Sequence, residues 1–185
     1  MNLKLVICLV LFPTLSCAMD FNTCTEAAKN IFGGEYHARL GQITGHNDYS
    51  EGEACTGLGV CYSIDLIRGP GCHGMTNDYH KAKTYFERAC VDFNEGLACL
   101  KLALFYDEGK GVRQDKQQAK SYYEKSCSLN NPTACFRLGM LYQYDKGGIQ
   151  SFEKAKEYYG KACDMGGIGS QMGCDSYREL NEKGY

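Results

Sequence analysis

Apolar and small residues recur along this chain with a helical rather than an alternating period. Three segments align without gaps: Ala82-Lys83-Thr84-Tyr85-Phe86-Glu87-Arg88-Ala89-Cys90, Ala119-Lys120-Ser121-Tyr122-Tyr123-Glu124-Lys125-Ser126-Cys127 and Ala155-Lys156-Glu157-Tyr158-Tyr159-Gly160-Lys161-Ala162-Cys163. Their starts lie 37 and 36 residues apart. The leading Ala, the first aromatic and the last small residue fall at i, i+3 and i+7, one face of a helix, with Lys, Glu and Arg on the other. This is helix A.

A second block, helix B, follows each copy. It reads Ala98-Cys99-Leu100-Lys101-Leu102-Ala103-Leu104-Phe105-Tyr106, then Ala134-Cys135-Phe136-Arg137-Leu138-Gly139-Met140-Leu141-Tyr142. An earlier copy is Ala54-Cys55-Thr56-Gly57-Leu58-Gly59-Val60-Cys61-Tyr62, and a worn last one is Gly173-Cys174-Asp175-Ser176-Tyr177. The small residues Gly59, Ala103 and Gly139 allow close approach of a neighbouring helix. Tyr85, Tyr122 and Tyr158, with Tyr106 and Tyr142, recur in every unit and are read as core.

The connectors repeat as well. Asp78, Asp115 and Ser151 stand where a helix N-cap belongs. Asn94, Asn130-Asn131-Pro132 and Gly166-Gly167 mark left-handed helix stops, with Pro132 suited to a first helical position. Each unit is thus helix, short turn, antiparallel helix, and stacked neighbours build the core that one pair cannot. The expected fold is all-α, a helix-hairpin solenoid of the tetratricopeptide type with one disulfide per hairpin. Residues 53–185 carry the regular repeats and end in a cap, so a monomer is expected. Residues 19–52 form an irregular first unit, in which Ala27-Ala28-Lys29 and Ala38-Arg39-Leu40-Gly41 resemble fragments of the two helices.

The chain has 185 residues, a net charge of -2 and no strongly basic segment, which excludes a nucleic-acid footprint. Its outlying number is 12 Cys. The N-terminus accounts for them. Lys4, an apolar run from Leu5 to Phe12, and the small residues Ser16-Cys17-Ala18 read as a secretory signal peptide over 1–18. Cleavage after Ala18 removes Cys8 and Cys17 and leaves an even number of cysteines for an oxidising destination. The rival is lipidation at Cys17, since Leu15-Ser16-Cys17 partly resembles a lipobox that Pro13 and Thr14 fit poorly. No later stretch is long and apolar enough to span a membrane. A secreted or periplasmic protein is expected.

Cys90 and Cys99, Cys127 and Cys135, and Cys163 and Cys174 each pair the end of helix A with the start of helix B, within disulfide reach across a hairpin. Cys61 with Cys72 would pin a longer loop, and Cys24 with Cys55 follows by elimination. No Cys-x-x-Cys occurs and the four histidines, His37, His46, His73 and His80, form no ligand pair, so no metal or cofactor is expected.

These residues resemble the Sel-one-like repeat family, relatives of tetratricopeptide repeats, over about Glu53 to Tyr177. The paired cysteines look like its secreted cysteine-rich branch, the Hcp proteins. That resemblance implies an extracytoplasmic protein, and, because members carry such names, penicillin binding with slow β-lactam hydrolysis. The residues give this little support. Ser151-Phe152-Glu153-Lys154 is a Ser-x-x-Lys, but Ser151 occupies the cap slot of Asp78 and Asp115, and Lys154 the outer face of helix A. Neither Ser-Asp-Asn nor Lys-Thr-Gly accompanies it, and no catalytic residue is assigned. Asp107, Glu108 and Asp145 read as solvated turn carboxylates.

The competing reading is a binding scaffold for a protein, a peptide or a cell-wall fragment, its ligand face lined by helix A. The tyrosines outside the repeat, Tyr36, Tyr49, Tyr79 and Tyr144, are the candidate contacts, because a rigid ring with a hydroxyl recognises partners at low entropy cost.

Overall fold

A computed structural model describes residues 23–44, 50–63, 72, 77–144, 150–167 and 169–185. The described residues form α-helices and short connections, with no strand among them. Helices α1 (Cys24–Phe32) and α2 (Tyr36–Thr44) are joined by a 3-10 turn, and α3 (Glu51–Ser63) follows. Then come α4 (Tyr79–Val91), α5 (Gly96–Glu108), α6 (Lys116–Ser128), α7 (Pro132–Gln143), α8 (Phe152–Met165) and α9 (Ser170–Glu182). Helices α4, α6 and α8 are copies of helix A; α3, α5, α7 and α9 are copies of helix B. Each helix packs on the next in sequence, so the molecule is an all-α stack of antiparallel pairs.

The repeated signals produce repeated geometry. Asp78 caps Lys81 N–H at 3.1 Å, Asp115 caps Gln117 and Gln118 N–H at 3.0 Å, and Ser151 caps Lys154 N–H at 3.2 Å. Their backbone N–H groups donate to the carbonyls of Tyr62, Tyr106 and Tyr142 at 2.8, 2.9 and 2.9 Å. Asn94 and Asn130 take positive φ of 55° and 60°, turning the chain from helix A into helix B. Pro132 is the first residue of α7, behind the Asn131 cap.

The core differs from expectation in one respect. In helix A the fully buried aromatic is the second of the pair: Phe86, Tyr123 and Tyr159 are at most 1% exposed. Tyr85, Tyr122 and Tyr158 are only half-buried. The buried stripe is Ala82, Phe86 and Ala89, at i, i+4 and i+7. Both stripes lie on one broad helix face, and the small residues of helix B decide between them. An added Cβ on Gly59 would stand 2.6 Å from the Phe86 ring, and on Gly139 2.5 Å from the Tyr159 ring. Those glycines are the sockets into which the second ring fits. The first ring stacks at the edge, Tyr62 on Tyr85 at 5.7 Å, Tyr106 on Tyr122 at 5.6 Å and Tyr142 on Tyr158 at 5.6 Å.

Five disulfides join Cys24–Cys55, Cys61–Cys72, Cys90–Cys99, Cys127–Cys135 and Cys163–Cys174, with Cα–Cα distances from 4.6 to 5.2 Å. No described cysteine is free. Helix A packs more extensively on the helix B before it than on the one after: α3 with α4, α5 with α6, α7 with α8. The tight pair is therefore B then A. The Cys90–Cys99 and Cys127–Cys135 bridges span the looser A-to-B junctions, tying one tight pair to the next. For loops this short each bridge stabilises the fold by ~2.5 kcal/mol.

The ends are closed differently. At the start, the Glu51 carboxylate accepts the Cys24 and Thr25 N–H groups and, at 2.6 Å, the Thr25 hydroxyl, fixing α1 against α3. At the other end Gly184, at φ 84°, turns the chain so that the Tyr185 ring lies 4.0 Å from Phe152. Lys156 donates to the Tyr185 carbonyl at 2.8 Å.

Candidate functional site

Both members of the catalytic-looking pair have structural partners. Ser151 has φ −152° and ψ 107°, close to Asp78 and Asp115, and its hydroxyl oxygen accepts the Lys154 N–H in the first turn of α8. The Lys154 ammonium lies 5.3 Å from the centre of the Tyr142 ring, a cation–π contact. Asp107 is not a solvated turn carboxylate. Lys116 reaches it at 2.6 Å and the buried Tyr123 hydroxyl donates to it at 3.4 Å. Burial, with this carboxylate close by, holds the Tyr123 phenol well above its ordinary range. In the next unit Gln143 replaces the acid and accepts the Tyr159 hydroxyl at 2.5 Å. Both networks tie the end of helix B to helix A.

Cys24, Glu51 and Cys55 cluster closely enough to suggest a metal. Their chemistry does not fit one: the sulfurs are bonded to each other, and the carboxylate is taken up by the α1 N-terminus.

The three candidate tyrosines among the described residues do not assemble. Tyr36 lies tilted against His37, ring centres 4.0 Å apart, beside Lys29 at the N-terminal end. Tyr79 is half-buried, edge-on to Phe105 at 5.6 Å and closely covered by Gly111. Tyr144 is exposed at the far end of α7. Tyr49 lies outside the described residues, as do His46, His73, Asp145 and the whole proposed leader. The half-buried repeat tyrosines instead gather lysines. Lys120 hydrogen-bonds with Tyr142 at its ring face, which raises the lysine above its ordinary value, and Lys81 and Lys161 cover Tyr62 and Tyr158. Lys83 is raised likewise by its bond to Glu87. These contacts use up cations on the helix A side.

Helix B carries an exposed row of its own. Successive B helices approach one another, α3 with α5 and α7 with α9, and the A helices do not pack on each other in this way. In α3, α5 and α7 the B helices are largely buried and leave a row of partly exposed residues: Val60 in α3; Leu97, Lys101 and Leu104 in α5; Thr133, Arg137 and Met140 in α7; Met172 and Ser176 take the equivalent places in α9, which is exposed over most of its length. Leu97 and Met172 are each 46% exposed, more than a core role would leave. Between α3 and α5 the stripe hollows into a cavity of about 230 Å³, walled by Ile43, Gly57, Val60 and Leu97 and edged by Glu53 and Glu95. A shallower, polar cleft of about 710 Å³ lies at the loop end, around Lys83, Tyr106, Arg113 and Asp115.

A stack of antiparallel helix pairs defines a repeat-type solenoid. Residues 52–90, 96–131 and 132–167 match the family model for the Sel1 repeat, and the chain belongs to that family. The matched units begin at helix B and end at helix A, the tight pairs seen in the packing. The chain is 48% identical over 42 residues to beta-lactamase HcpA of Helicobacter pylori, 23% of this chain and 16% of that protein. It is 33% identical over 102 residues to the cytochrome c oxidase assembly factor 7 homolog of Drosophila melanogaster, 52% of this chain and 35% of that protein. It thus spans about a third or less of these curated relatives. In fold it is similar to a Sel1 repeat protein from Oxalobacter formigenes (TM-score 0.55, 22% identity, 62% of this chain and 44% of that one). It is similar too to Helicobacter pylori cysteine rich protein B (TM-score 0.51, 24% identity, 79% of this chain and 93% of that one).

Proposed function

We propose that the protein is a secreted or periplasmic interaction scaffold whose open helix B face binds a protein, peptide or cell-wall fragment. The carrying observation is that stripe, where Leu97 and Met172 stay 46% exposed. Five disulfides suit an oxidising compartment. No described helix is long and apolar enough to cross a membrane. Cleavage of a leader after Ala18 is part of this reading, with lipidation at Cys17 as its variant.

A second reading, penicillin binding with slow β-lactam hydrolysis, is favoured by the name of the Helicobacter relative. Ser151 is its one serine followed by a lysine at the right spacing, and that serine is engaged in capping. Two assays separate the readings. Panning a random peptide library on the oxidised protein should enrich peptides that lose binding when the helix B stripe is altered and keep it when α4 or α6 outer residues are. Enrichment indifferent to the stripe refutes the scaffold reading. A chromogenic cephalosporin should show no turnover that Ser151→Ala abolishes, and turnover lost in that variant would establish the enzyme.

A further inference from the structure

The turn from α4 into α5 differs from its copy one unit later, and the differences meet at the cavity against α3. Glu95 holds the N-cap position of α5, yet its side chain makes no capping bond; Asn131, in the same slot, caps α7 at the Ala134 N–H, 3.1 Å away. Glutamate is not among the residues that cap well, so its own helix does not account for it. The Glu95 side chain is turned onto α3 instead. An added Cβ on Gly52 would stand 2.6 Å from its Cγ, and its Oε1 accepts the Ser50 hydroxyl at 3.3 Å. Among the described residues it pairs with no cation. Glu53 reaches the same serine, accepting the Ser50 N–H at 2.7 Å. Ser50 is neutral, so both carboxylates keep their negative charge. The cavity they edge, about 230 Å³, is otherwise walled by Ile43, Gly57, Val60, Leu97 and Thr56, with no basic residue among the described lining. Thr56 spends its hydroxyl on the Gly52 carbonyl at 2.9 Å. Leu97 stands where α7 has Thr133 and is 46% exposed. The result is an apolar hollow with an anionic rim.

We propose that this hollow binds an arginine side chain of a basic partner peptide, its aliphatic stem lying on Val60 and Leu97 and its guanidinium at the Glu95 and Glu53 carboxylates. The inference rests on the scaffold reading and names the partner's chemistry. Long basic side chains bury their stems along apolar surface and keep the charge at the rim, which is the division this hollow offers. A guanidinium also presents five donors in a planar fork, enough to meet two carboxylates at once. A purely aliphatic side chain would occupy the walls and leave the rim charge unanswered. An acidic side chain would meet two charges of its own sign. A bare cation would leave the apolar walls of Ile43, Val60 and Leu97 without a partner.

The probe is a blocked hexapeptide of glycine and serine carrying one arginine at its third position. Two controls replace the arginine by norleucine, which keeps an aliphatic stem without the charge, and by glutamate. Proton–nitrogen correlation spectra of the oxidised protein should show the amides of Gly57, Val60, Glu95 and Leu97 shifting saturably as the arginine peptide is added, less so at high salt. The norleucine peptide should bind about fivefold more weakly, the effect of one partly exposed ion pair. The glutamate peptide should leave these amides in place. Glu95→Gln keeps the shape of the rim and removes its charge. It should weaken the arginine peptide about fivefold and leave the norleucine peptide unchanged. Leu97→Ser should weaken both about fourfold, the effect of one methylene of buried contact. Thermal melts establish that the two variants are folded. The proposal is overturned if the arginine peptide moves none of these amides, if the norleucine or glutamate peptide binds as tightly, or if Glu95→Gln changes nothing. Library peptides that depend on the helix B stripe but carry no basic residue would overturn this proposal and leave the scaffold reading standing. A library that enriches no peptide would refute both.

Discussion

Gly139→Ala tests the socket that sets the spacing of α7 and α8. The added Cβ would stand 2.5 Å from Cδ1 and Cε1 of Tyr159 and 3.0 Å from its Cγ. Carbon atoms settle at ~3.5–4.0 Å, so the ring must withdraw by about 1 Å. It has little room to do so. Tyr159 is 1% exposed, its hydroxyl is bonded to Gln143 at 2.5 Å, and Phe136 flanks it at 5.6 Å. Overpacking of this kind costs about 1–3 kcal/mol. Alanine returns ~1 kcal/mol through its helix propensity. The net expectation is a loss of about 1 kcal/mol, a fall in Tm of ~3 °C for a chain of this size. Urea denaturation of the oxidised protein should show a lower midpoint at unchanged slope. In a Tyr159→Leu background the ring is gone, and the same glycine-to-alanine change should become stabilising by about 1 kcal/mol, its propensity alone. Ala103, which takes the same helix B position below Tyr123, makes the test sharp: there the tyrosine hydroxyl meets its acceptor at 3.4 Å instead of 2.5 Å. If Gly139→Ala by itself stabilises the protein, Gly139 is not a socket and the account of helix spacing fails.

Two further outcomes follow from the same structure. Replacing Cys127 and Cys135 together by alanine should cost ~2.5 kcal/mol in the urea midpoint and broaden the transition, as the pairs on either side of that junction lose their tie; an unchanged midpoint would refute it. Burial holds the Tyr123 and Tyr159 phenols above their ordinary value, so the fold favours their neutral forms. The unfolded chain loses those protons first as pH passes about 10, so stability is complete below that and declines above it. Tyr85, Tyr122 and Tyr158 are raised in the same direction, so phenolate absorbance should show a group of tyrosines titrating late, and Tyr123→Phe should remove one of them.

The caps and stops were legible because each is a local contest among few residues. Asp78, Asp115 and Ser151 differ in type yet share one backbone geometry, and the repeat alignment alone places them in one slot. It was this register that separated Ser151 from a nucleophile. The choice between Tyr122 and Tyr123 was not local. Both rings lie toward the core side, and the winner is set by a small residue on another helix, Ala103. Unit phase was hidden for a similar reason, since a chain of alternating helices can be cut before A or before B, and only the extent of packing distinguishes the cuts. The helix B stripe left no signal of its own, because its members change chemistry from copy to copy, Leu97 becoming Thr133 and Leu104 becoming Met140.

The bridges at the junctions bear on how such an array lengthens. The unit at 96–131 carries Cys99 near its start and Cys127 near its end, each bonded outside the unit, to Cys90 and to Cys135. A duplicated unit therefore arrives with one thiol for each neighbour. Inserted anywhere in the row, it restores every bond it interrupts and strands no sulfur. Had each bond closed within its own unit, a new copy would be held to the row by packing alone. Here growth by whole units is covalently self-healing, and a loss of part of a unit would expose itself as an odd thiol.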